Sequence, residues 1–427
     1  MLLLGIDIGT TGICGLLLDS DKMQVINTVA KPNKSFLPST ADFEKIQAPE
    51  IIFDTVNEII GEIAVKPDAI GFSCQMHGIV YTDENLNALS PLYIWQDVRG
   101  GLPYKDGKTY AEYLGCYPGY GLSTALYNRE NGIEPEGAKY ICTIGDYIIA
   151  KMCSLSKPLT HITNAAGLGG FDLLNNRFYY DFNLLPDVTD KFEFAGKTSE
   201  GVPVCVCVGD NQAGFIGSVP DSNGILVNIG TGAQVSYLVD NINPISEAEQ
   251  RPFDGERYLM AGCSLCGGRA FAMFEKFCRE IVNLTGNKTD SYYPFLDKIL
   301  SDITDTDLTA DCRFCGTRKN SEIRGGFNNL SEGNFRPADF ALAVLDGMVR
   351  ELYDMYDVKD EIRPVYVSGN GIRKNPVLLK IIEKYFGITA KSTVFEEEAA
   401  FGAALCAGVA AGTFENIDIA REKIVTQ

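Results

Sequence analysis

Two short segments rich in glycine and threonine have the composition of a phosphate-binding turn. They are Gly9-Thr10-Thr11-Gly12 and Gly230-Thr231-Gly232. A phosphate needs converging backbone N–H donors with no Cβ in the way, and threonine hydroxyls add further donors. One such turn is usually only a hairpin turn, but here each follows an apolar run that carries a polar residue, Asp7 or Asn228. Two facing hairpins could hold a triphosphate, and Asp7 could hold Mg²⁺ because hard cations take carboxylate ligands.

The segment Gly209-Asp210-Asn211-Gln212 places a carboxylate directly after the apolar run at 203–208. In phosphoryl transfer a carboxylate at the end of a buried strand can accept the proton of the attacking nucleophile. An alternative is that Asp210 only caps a helix, since aspartate is common at helix N-termini. Asp210 is the candidate general base and, with Asp7, a candidate ligand of Mg²⁺.

A third group of residues suits a polyol, which offers apolar C–H faces and many hydroxyls. The chain holds one tryptophan and two histidines, and Trp95 lies close in sequence to one of the histidines. The alternative is a core tryptophan beside a surface ion pair. The candidate sugar-binding residues here are Gln75, Met76, His77, Trp95, Asp97 and Arg99.

The fourth group lies in the segment from Ser368 to Asn375, which is typical of a turn between a strand and a helix. Its backbone and Asn375 could receive a nucleotide base and ribose. Turns of this composition are common between strands and helices, so the pattern alone is weak. The candidate nucleotide-binding residues in this segment are Gly369, Asn370, Gly371 and Asn375.

Alternating strands and helices are predicted to position these groups. Apolar runs at 2–8, 13–19 and 25–30 predict a β-meander, and helical spacing at 50–65 followed by a strand at 69–74 predicts a crossover. Later segments predict strands within 203–214, 224–240 and 364–369, a helix from Pro337, and helices at 375–386 and 397–412. The polar stretches 240–260 and 285–335 are predicted to be loops or insertions. Together these elements predict the α/β class.

The turn after Asp7 and the turn after Asn228 align almost residue for residue, with similar apolar runs on both sides. Repetition at this separation predicts an internal duplication, in which each half of the chain begins with a β-meander. We therefore predict two domains, residues 1–207 and 208–427. Chance similarity between two glycine-threonine turns is the alternative.

Composition limits the classes of function. The 427 residues carry 37 Lys and Arg against 56 Asp and Glu, a net charge of −19, which disfavours nucleic acid as a partner. The sequence contains no run of about 20 apolar residues and no N-terminal signal pattern, so we expect no membrane contact and a cytoplasmic location. The 13 cysteines are then expected to be reduced thiols, although Cys263/Cys266 and Cys312/Cys315 have the inner spacing of a zinc site.

Taken together, the four motifs resemble those of the FGGY family of carbohydrate kinases along the whole chain. The phosphate loops resemble Asp7 to Thr11 and Asn228 to Gly232, and the adenosine motif resembles Ser368 to Asn375. The resemblance implies two actin-like ATPase (ribonuclease H-like) domains that face a central cleft. It also implies ATP and Mg²⁺ as cofactors, Asp210 as the base, and a small sugar held by the third group together with Asn211.

The form Gly-Asp-Asn-Gln around Asp210 and the short chain are most similar to the sedoheptulokinases of this family, which implies phosphorylation of a ketose on a terminal primary hydroxyl. A pentulose kinase of the xylulokinase type, a non-kinase actin-like ATPase and an inactive sugar sensor are the alternatives. The sequence departs from the family at Gly12-Ile13-Cys14-Gly15, which supplies no serine or cation, and at Asn370, which interrupts a glycine triplet. Oligomeric state is left open, with a homodimer as the default.

Overall fold

The structure, a computed structural model, describes residues 1–180, 182–243, 246–318, 320 and 322–426. The chain folds into two compact units that are discontinuous in sequence. Unit 1 comprises Met1–Pro220, Arg251–Tyr258 and Phe395–Val425, and unit 2 comprises Asp221–Gln250, Leu259–Val394 and the C-terminal residue pair 426–427. The predicted domain boundary near residue 208 stays a prediction.

The strands follow one another along the chain in two groups. The first group is β1 (Leu2–Ile8), β2 (Gly12–Asp19), β3 (Gln24–Pro32), β4 (Ile46–Gln47), β5 (Ala69–Cys74), β6 (Val80–Thr82), β7 (Leu92–Tyr93), β8 (Tyr140–Cys142), β9 (Leu159–His161), β10 (Phe171–Asp172), β11 (Arg177–Phe178), β12 (Asp187–Thr189), β13 (Phe194–Lys197) and β14 (Pro203–Gly209). The second group is β15 (Ile225–Ile229), β16 (Ala233–Val239), β17 (Glu249–Pro252), β18 (Tyr258–Ser264), β19 (Thr309–Asp311), β20 (Gly326–Asn328), β21 (Val365–Ser368) and β22 (Lys391–Ser392).

The helices lie between and after these strands. They are α1 (Pro49–Ile63), α2 (Tyr110–Leu114), α3 (Gly121–Glu130), α4 (Ile144–Met152), α5 (Ile162–Gly167), α6 (Asp210–Ser218), α7 (Gly267–Leu284), α8 (Tyr293–Ser301), α9 (Pro337–Asp354), α10 (Asn370–Lys374), α11 (Pro376–Phe386), α12 (Glu398–Ala410) and α13 (Ile417–Arg421), with short 3₁₀ turns at Arg99–Gly101 and Glu332–Asn334. Within the described ranges, no helix combines the length and apolar character that crossing a membrane requires.

The sheet of unit 1 has the order β13-β14-β5-β1-β2-β3. Strand β1 is central: it pairs antiparallel with β2 and parallel with β5, and Asp7 lies opposite Ser73 in the parallel register. Because the strand after the crossover runs parallel to β1, the ends of β1, β5 and β14 reach the same edge of the sheet. Residues that follow these strands are therefore brought together at one edge, as in other α/β sheets.

A second six-stranded sheet has the order β17-β18-β16-β15-β21-β22. Here β15 pairs antiparallel with β16 and parallel with β21, which is the arrangement of β1 with β2 and β5. The similar pairing around the two Gly-Thr turns agrees with the predicted mixed α/β fold with two sheet-containing parts. In the core of unit 2, helices α9 and α11 pack against this sheet.

The small-residue helix α12 packs directly on the sheet of unit 1. An added Cβ at Gly5 of β1 would lie 1.8 Å from the carbonyl oxygen of Ala400, so only glycine permits this approach of strand and helix. The alanine and glycine residues of this helix leave room for the strand to approach. The helix begins at Glu398, so its N-terminal turn lies near the edge of the sheet where β1 ends.

The two stretches predicted to be loops contain regular structure. Strand β17 and the start of β18 fall within 240–260, and α8, β19 and β20 fall within 285–335. That prediction was wrong for these elements, because short strands with mixed polar composition carry no period-two apolar signal. Helix α8 buries only two leucines, Leu296 and Leu300, so its apolar face is narrow.

Candidate active site

The first Gly-Thr turn is fixed by side chains from several segments of unit 1. Asn33 donates from Nδ2 to the Gly9 carbonyl at 3.0 Å, and Gln47 donates from Nε2 to the Thr10 carbonyl at 2.8 Å. Both carbonyls are therefore held by neighbouring amides. The turn is a preformed structure, because its backbone oxygens have partners within the protein.

Thr10 joins this turn to two of the predicted sugar-binding residues. The Trp95 indole donates from Nε1 to Thr10 Oγ1 at 2.9 Å, and the Thr10 hydroxyl donates to Gln75 Oε1 at 2.9 Å. Gln75 in turn donates from Nε2 to Gln47 Oε1 at 2.8 Å. The chain of bonds brings the predicted phosphate turn and the predicted sugar residues into one network, and Trp95 keeps 42% of its surface exposed.

His77 has an unusual backbone. Its φ is +76°, a region that non-glycine residues rarely occupy and that concentrates at functional sites. The ring stacks on Tyr120 with centroids 4.2 Å apart, and Nδ1 lies 2.7 Å from the Gly167 carbonyl. Because that carbonyl only accepts, Nδ1 carries a proton. Its neighbour Met76 is buried at 3% exposure.

Asp97 and Arg99 form a buried ion pair. Arg99 donates from Nε and from one terminal nitrogen to the two carboxylate oxygens of Asp97, at 2.7 and 2.9 Å. The other terminal nitrogen donates to Asn128 at 2.7 Å, and the guanidinium lies over the Tyr93 ring at 4.3 Å. The pair therefore fixes the segment that carries Trp95, since Asp97 also accepts the backbone N–H of Lys45 at 3.1 Å.

Asp210 is the first residue of α6 and directly follows β14. Its Oδ1 accepts the backbone N–H of Asn211 at 2.8 Å and the Asn211 side-chain amide at 3.0 Å. The end of β14 is held by Thr163, whose hydroxyl accepts the Gly209 N–H at 3.0 Å, and by Asn164, which donates to the Cys207 carbonyl at 3.0 Å. The structure places Asp210 in unit 1, as it does Asp7.

Asp7 is electrostatically coupled to Asp210. The pKa of Asp7 is raised to about 7, mainly by burial and in smaller part by the charges of Asp210 and Glu397, against the lowering effect of the Ser73 hydroxyl, which donates to Oδ1 at 2.6 Å. Mg²⁺ in kinases is held by one or two carboxylates together with phosphate oxygens and water. The carboxylates of Asp7 and Asp210 fit this requirement, because a cation would favour the ionised form of Asp7, which burial and the charge of Asp210 disfavour.

The predicted nucleotide residues of unit 2 lie on adjacent segments. The Asn228 amide donates to Ser368 Oγ at 2.6 Å, which joins the end of β15 to the end of β21. The turn formed by Gly230, Thr231 and Gly232 is covered by the start of α7: the Gly268 N–H donates to the Gly230 carbonyl at 2.9 Å, and an added Cβ at Gly267 would lie 2.3 Å from the backbone of Gly232.

The other nucleotide candidates follow β21. Gly369 precedes α10, which begins with Asn370 and Gly371, and Asn375 caps α11 by accepting the Val377 N–H at 3.1 Å. Asn375 also borders a cavity of about 700 Å³ that is lined by α8, α9 and α11. Leucine and isoleucine side chains share the cavity wall with the cations Lys374 and Lys380.

The two Cys-x-x-Cys pairs contribute one close contact. Cys266 and Cys315 have their sulfur atoms 3.6 Å apart, and the thirteen cysteines are all free thiols. Burial raises the pKa of Cys266 to about 12, which opposes the thiolate that a metal would need. Among the residues that the structure describes, no three His, Cys, Asp or Glu side chains gather as a metal cluster.

One charged residue that contacts Asn211 is absent from the sequence-based candidates. Arg251, at the end of β17, is 4% exposed, and one of its terminal nitrogens lies 2.6 Å from Asn211 Oδ1. It falls within the stretch predicted to be a loop. A lone arginine before a proline gives no signal in a single sequence that would distinguish it from a surface residue.

Comparison with known proteins agrees with this geometry. Residues 2–103 match the N-terminal domain of the FGGY family of carbohydrate kinases, and residues 228–411 match its C-terminal domain. The chain belongs to this family and is a carbohydrate kinase, a transferase that acts on a small sugar. The family resemblance predicted from the sequence motifs is confirmed, and kinases of this family use ATP.

Individual relatives differ in the substrate that their names give. The chain is 24% identical to a sedoheptulokinase of Mus musculus over 94% of this chain and 96% of the relative, and 25% identical to a xylulose kinase of Staphylococcus epidermidis over 99% and 90%. The solved structure of a xylulose kinase from Lactobacillus acidophilus superposes with a TM-score of 0.84 at 20% identity, covering 100% of this chain and 92% of that one. This last likeness confirms the predicted fold class.

Proposed function

We propose that this kinase transfers the γ-phosphoryl group of ATP to the terminal primary hydroxyl of a ketose, and that sedoheptulose, giving sedoheptulose 7-phosphate, is the best candidate. The observation that carries the proposal is the placement of Asp7, near the end of β1, and Asp210, directly after β14, at one edge of the unit 1 sheet beside the first Gly-Thr turn. A base, a metal ligand and a phosphate-binding turn are the parts that phosphoryl transfer requires.

Asp210 is the proposed general base. Since Oδ1 accepts two bonds from Asn211, the carboxylate is held in one orientation, and it receives the proton of the sugar hydroxyl as that oxygen attacks phosphorus. When bound, Mg²⁺-ATP supplies the phosphoryl group and neutralises charge on the phosphate oxygens. Asp7 and Asp210 are the proposed Mg²⁺ ligands, and Gly9, Thr10 and Thr11 the proposed phosphate contacts.

The sugar side is proposed to consist of the residues linked to Thr10 and Asp210. Gln75 and Trp95 share a bond network with the first turn, so a sugar held by them would lie near the phosphate turn. Asp97 and Arg99 support the proposal by fixing the Trp95 segment. The remaining proposed contacts are Met76, His77 and Asn211.

The nucleotide side is proposed to lie on unit 2. Gly230, Thr231 and Gly232 offer backbone donors to phosphate, and the segment from Gly369 to Asn375 offers a turn for adenosine. The cavity beside Asn375 supports this proposal, because it combines apolar walls, which suit a base, with lysine side chains.

A pentulose such as xylulose is the second candidate substrate, and the observation that favours it is the match to xylulose kinases over nearly the whole chain. Heptulose and pentulose differ by two hydroxymethylene groups, and a pocket built to hydrogen-bond a hydroxyl rejects an analogue that lacks it by about 10⁴- to 10⁵-fold. The cytoplasmic location and the homodimer predicted from the sequence stay predictions.

A coupled assay of ADP release tests the proposal. The purified protein is incubated with Mg²⁺-ATP and a panel of ketoses and polyols with five to seven carbons, and the product is identified by mass spectrometry and NMR. We expect release that depends on sugar, with highest kcat/KM for sedoheptulose. Highest kcat/KM for xylulose would replace sedoheptulose by a pentulose, and release without any sugar dependence would refute the proposal.

A further inference from the structure

Arg251 is a buried cation that contacts two of the segments assigned to the site. One terminal nitrogen, Nη1, lies 2.6 Å from Asn211 Oδ1 and 3.7 Å from the sulfur of Met76. The residue is 4% exposed, although arginine is almost never fully buried unless its charge or its donors are paired. Its position between Met76 and Asn211 is therefore a built feature of unit 1.

The segment that carries Arg251 is attached firmly to α6. The Gln212 amide donates to the Pro252 carbonyl at 3.0 Å, and Phe253 packs edge-to-face on Phe215 with centroids 5.9 Å apart. Arg251 is thus held from the backbone side by two consecutive residues. Such attachment gives the guanidinium a defined position relative to Asn211.

The chemistry of the guanidinium determines how the Asn211 amide is turned. Arginine donates hydrogen bonds and never accepts them, so the atom of Asn211 that faces Arg251 must be the amide oxygen. The amide nitrogen is then directed to Asp210 Oδ1, which it meets at 3.0 Å. Without Arg251 the amide could turn over, and it would then present an acceptor to the carboxylate.

We propose that Arg251 is a positioning residue, which orients the general base Asp210 through the Asn211 amide. The inference rests on the proposed function of Asp210. In this role Arg251 does not contact the sugar. Loss of the guanidinium should therefore lower kcat and leave the KM for sugar nearly unchanged.

The test compares two variants. Arg251→Met removes the hydrogen-bond donors, whereas Arg251→Lys keeps an ammonium group that donates hydrogen bonds and cannot accept them. Arg257→Met is the matched control, because Arg257 lies in the same segment and forms ion pairs with Asp254 and Asp418 at its other end. We expect Arg251→Met to lower kcat by about 10- to 100-fold with the KM for sugar within about 3-fold. Arg251→Lys should recover most of this loss, and Arg257→Met should leave kcat within about 3-fold of wild type.

A double-mutant cycle with Asn211→Ala tests the route. If Arg251 acts through Asn211, the double variant should be no slower than Asn211→Ala alone, whereas a merely structural effect would add to it. A thermal-unfolding curve for each variant reports whether it folds, and Arg251→Lys keeps the test valid if Arg251→Met does not.

Each other outcome overturns the inference. A kcat of Arg251→Met within about 2-fold of wild type, additive losses in the cycle, or a raised KM at unchanged kcat would each refute a positioning role, the last in favour of direct sugar contact. A wild-type protein without sugar-dependent ADP release would instead refute the proposed function, and this inference with it. The wild-type measurement thus separates the two failures.

Discussion

Replacing Asp210 by asparagine alters one atom of the proposed base, and the surrounding bonds determine how the new amide must lie. Both groups of Asn211 that meet Asp210 Oδ1 are donors, the backbone N–H at 2.8 Å and the side-chain amide at 3.0 Å. They require an acceptor, so the amide oxygen of the Asp210→Asn variant is held at the Oδ1 position. The amide nitrogen then occupies the Oδ2 position, and a proton acceptor becomes a donor.

The expected loss follows from the role of the base. General base catalysis contributes about 10²- to 10⁴-fold in rate, and each tenfold is about 1.4 kcal/mol in activation free energy. We expect the Asp210→Asn variant to lose this factor in kcat, about 3 to 5 kcal/mol. The sugar KM should stay within about 3-fold, because the volume and the bonds from Asn211 are retained. Folding should not suffer, since the substitution removes a charge that repels Asp7.

The kcat of each variant is measured in the ADP-release assay with saturating sugar and Mg²⁺-ATP. Isothermal titration calorimetry gives the affinity for the sugar separately. Asp172→Asn serves as control, because Asp172, the last residue of β10, is half-buried and accepts hydrogen bonds from Leu174 and Asn175 of the turn that follows. A kcat of the Asp210→Asn variant within 10-fold of wild type would refute the reasoning, as would a loss of sugar affinity that accounts for the whole effect.

Four further results are expected from the structure. Trp95→Phe removes the bond to Thr10 and should raise the sugar KM about 2- to 12-fold, the value of one hydrogen bond, in the same kinetic assay. Gly267→Ala forces a methyl group against the Gly232 backbone, so it should lower stability by about 1–3 kcal/mol in denaturant unfolding and raise the KM for ATP. Burial raises the pKa of Asp146 to about 7. The native state therefore binds more protons than the unfolded state between about pH 4 and pH 7, and the stability of the protein falls as the pH rises through this window. Asp146→Asn removes this effect, so it should raise the melting temperature at pH 8 and not at pH 4. Treatment with a zinc chelator, followed by dialysis into Mg²⁺, should leave activity and melting temperature unchanged, because the described residues contain no cluster of three His, Cys, Asp or Glu side chains that could hold zinc.

Matched controls exist for two of these experiments. Gly61→Ala adds a methyl group where nothing lies within 4 Å, so it should not destabilise the protein as Gly267→Ala does. Glu112 and Asp146 have the same position in two capping boxes, of which the one with Glu112 is exposed and the one with Asp146 is buried. The hydrogen bonds from Thr109 lower the pKa of Glu112. Glu112→Gln should therefore lower the melting temperature at pH 8, and an equal gain in both variants would contradict the burial argument.

The sheets were predictable because their strands are long and continuously apolar. Strands β1 and β5 have the predicted bounds, and α9 begins at the predicted Pro337, where proline suits the first turn of a helix. Strand β17 was not predictable, because its four residues are mostly polar and pair only through the tertiary structure. Local sequence carries no signal for such a strand.

Candidate site residues could be proposed from the sequence where unusual residue types mark them, and not where their arrangement depends on burial. Asp7, Thr10 and Asp210 could be found because carboxylates and a glycine-threonine turn follow apolar runs. The burial of the Asp97–Arg99 pair could not, since a sequence does not tell a surface ion pair from one that is 0% and 2% exposed. Arg251 was missed for the same reason.

Helix α12 has a consequence for biosynthesis. It packs on β1, yet it lies about 390 residues later in the chain. During translation the face of β1 around Gly5 therefore stays uncovered until α12 has been made, and unit 1 cannot be completed before the residues between Asp221 and Val394 have been synthesised. Most of unit 2 lies between segments of unit 1 in the sequence, so unit 2 can fold first. Unit 1, which carries Asp7 and Asp210, is then completed after it. A nascent chain that stops before α12 should remain bound to chaperones.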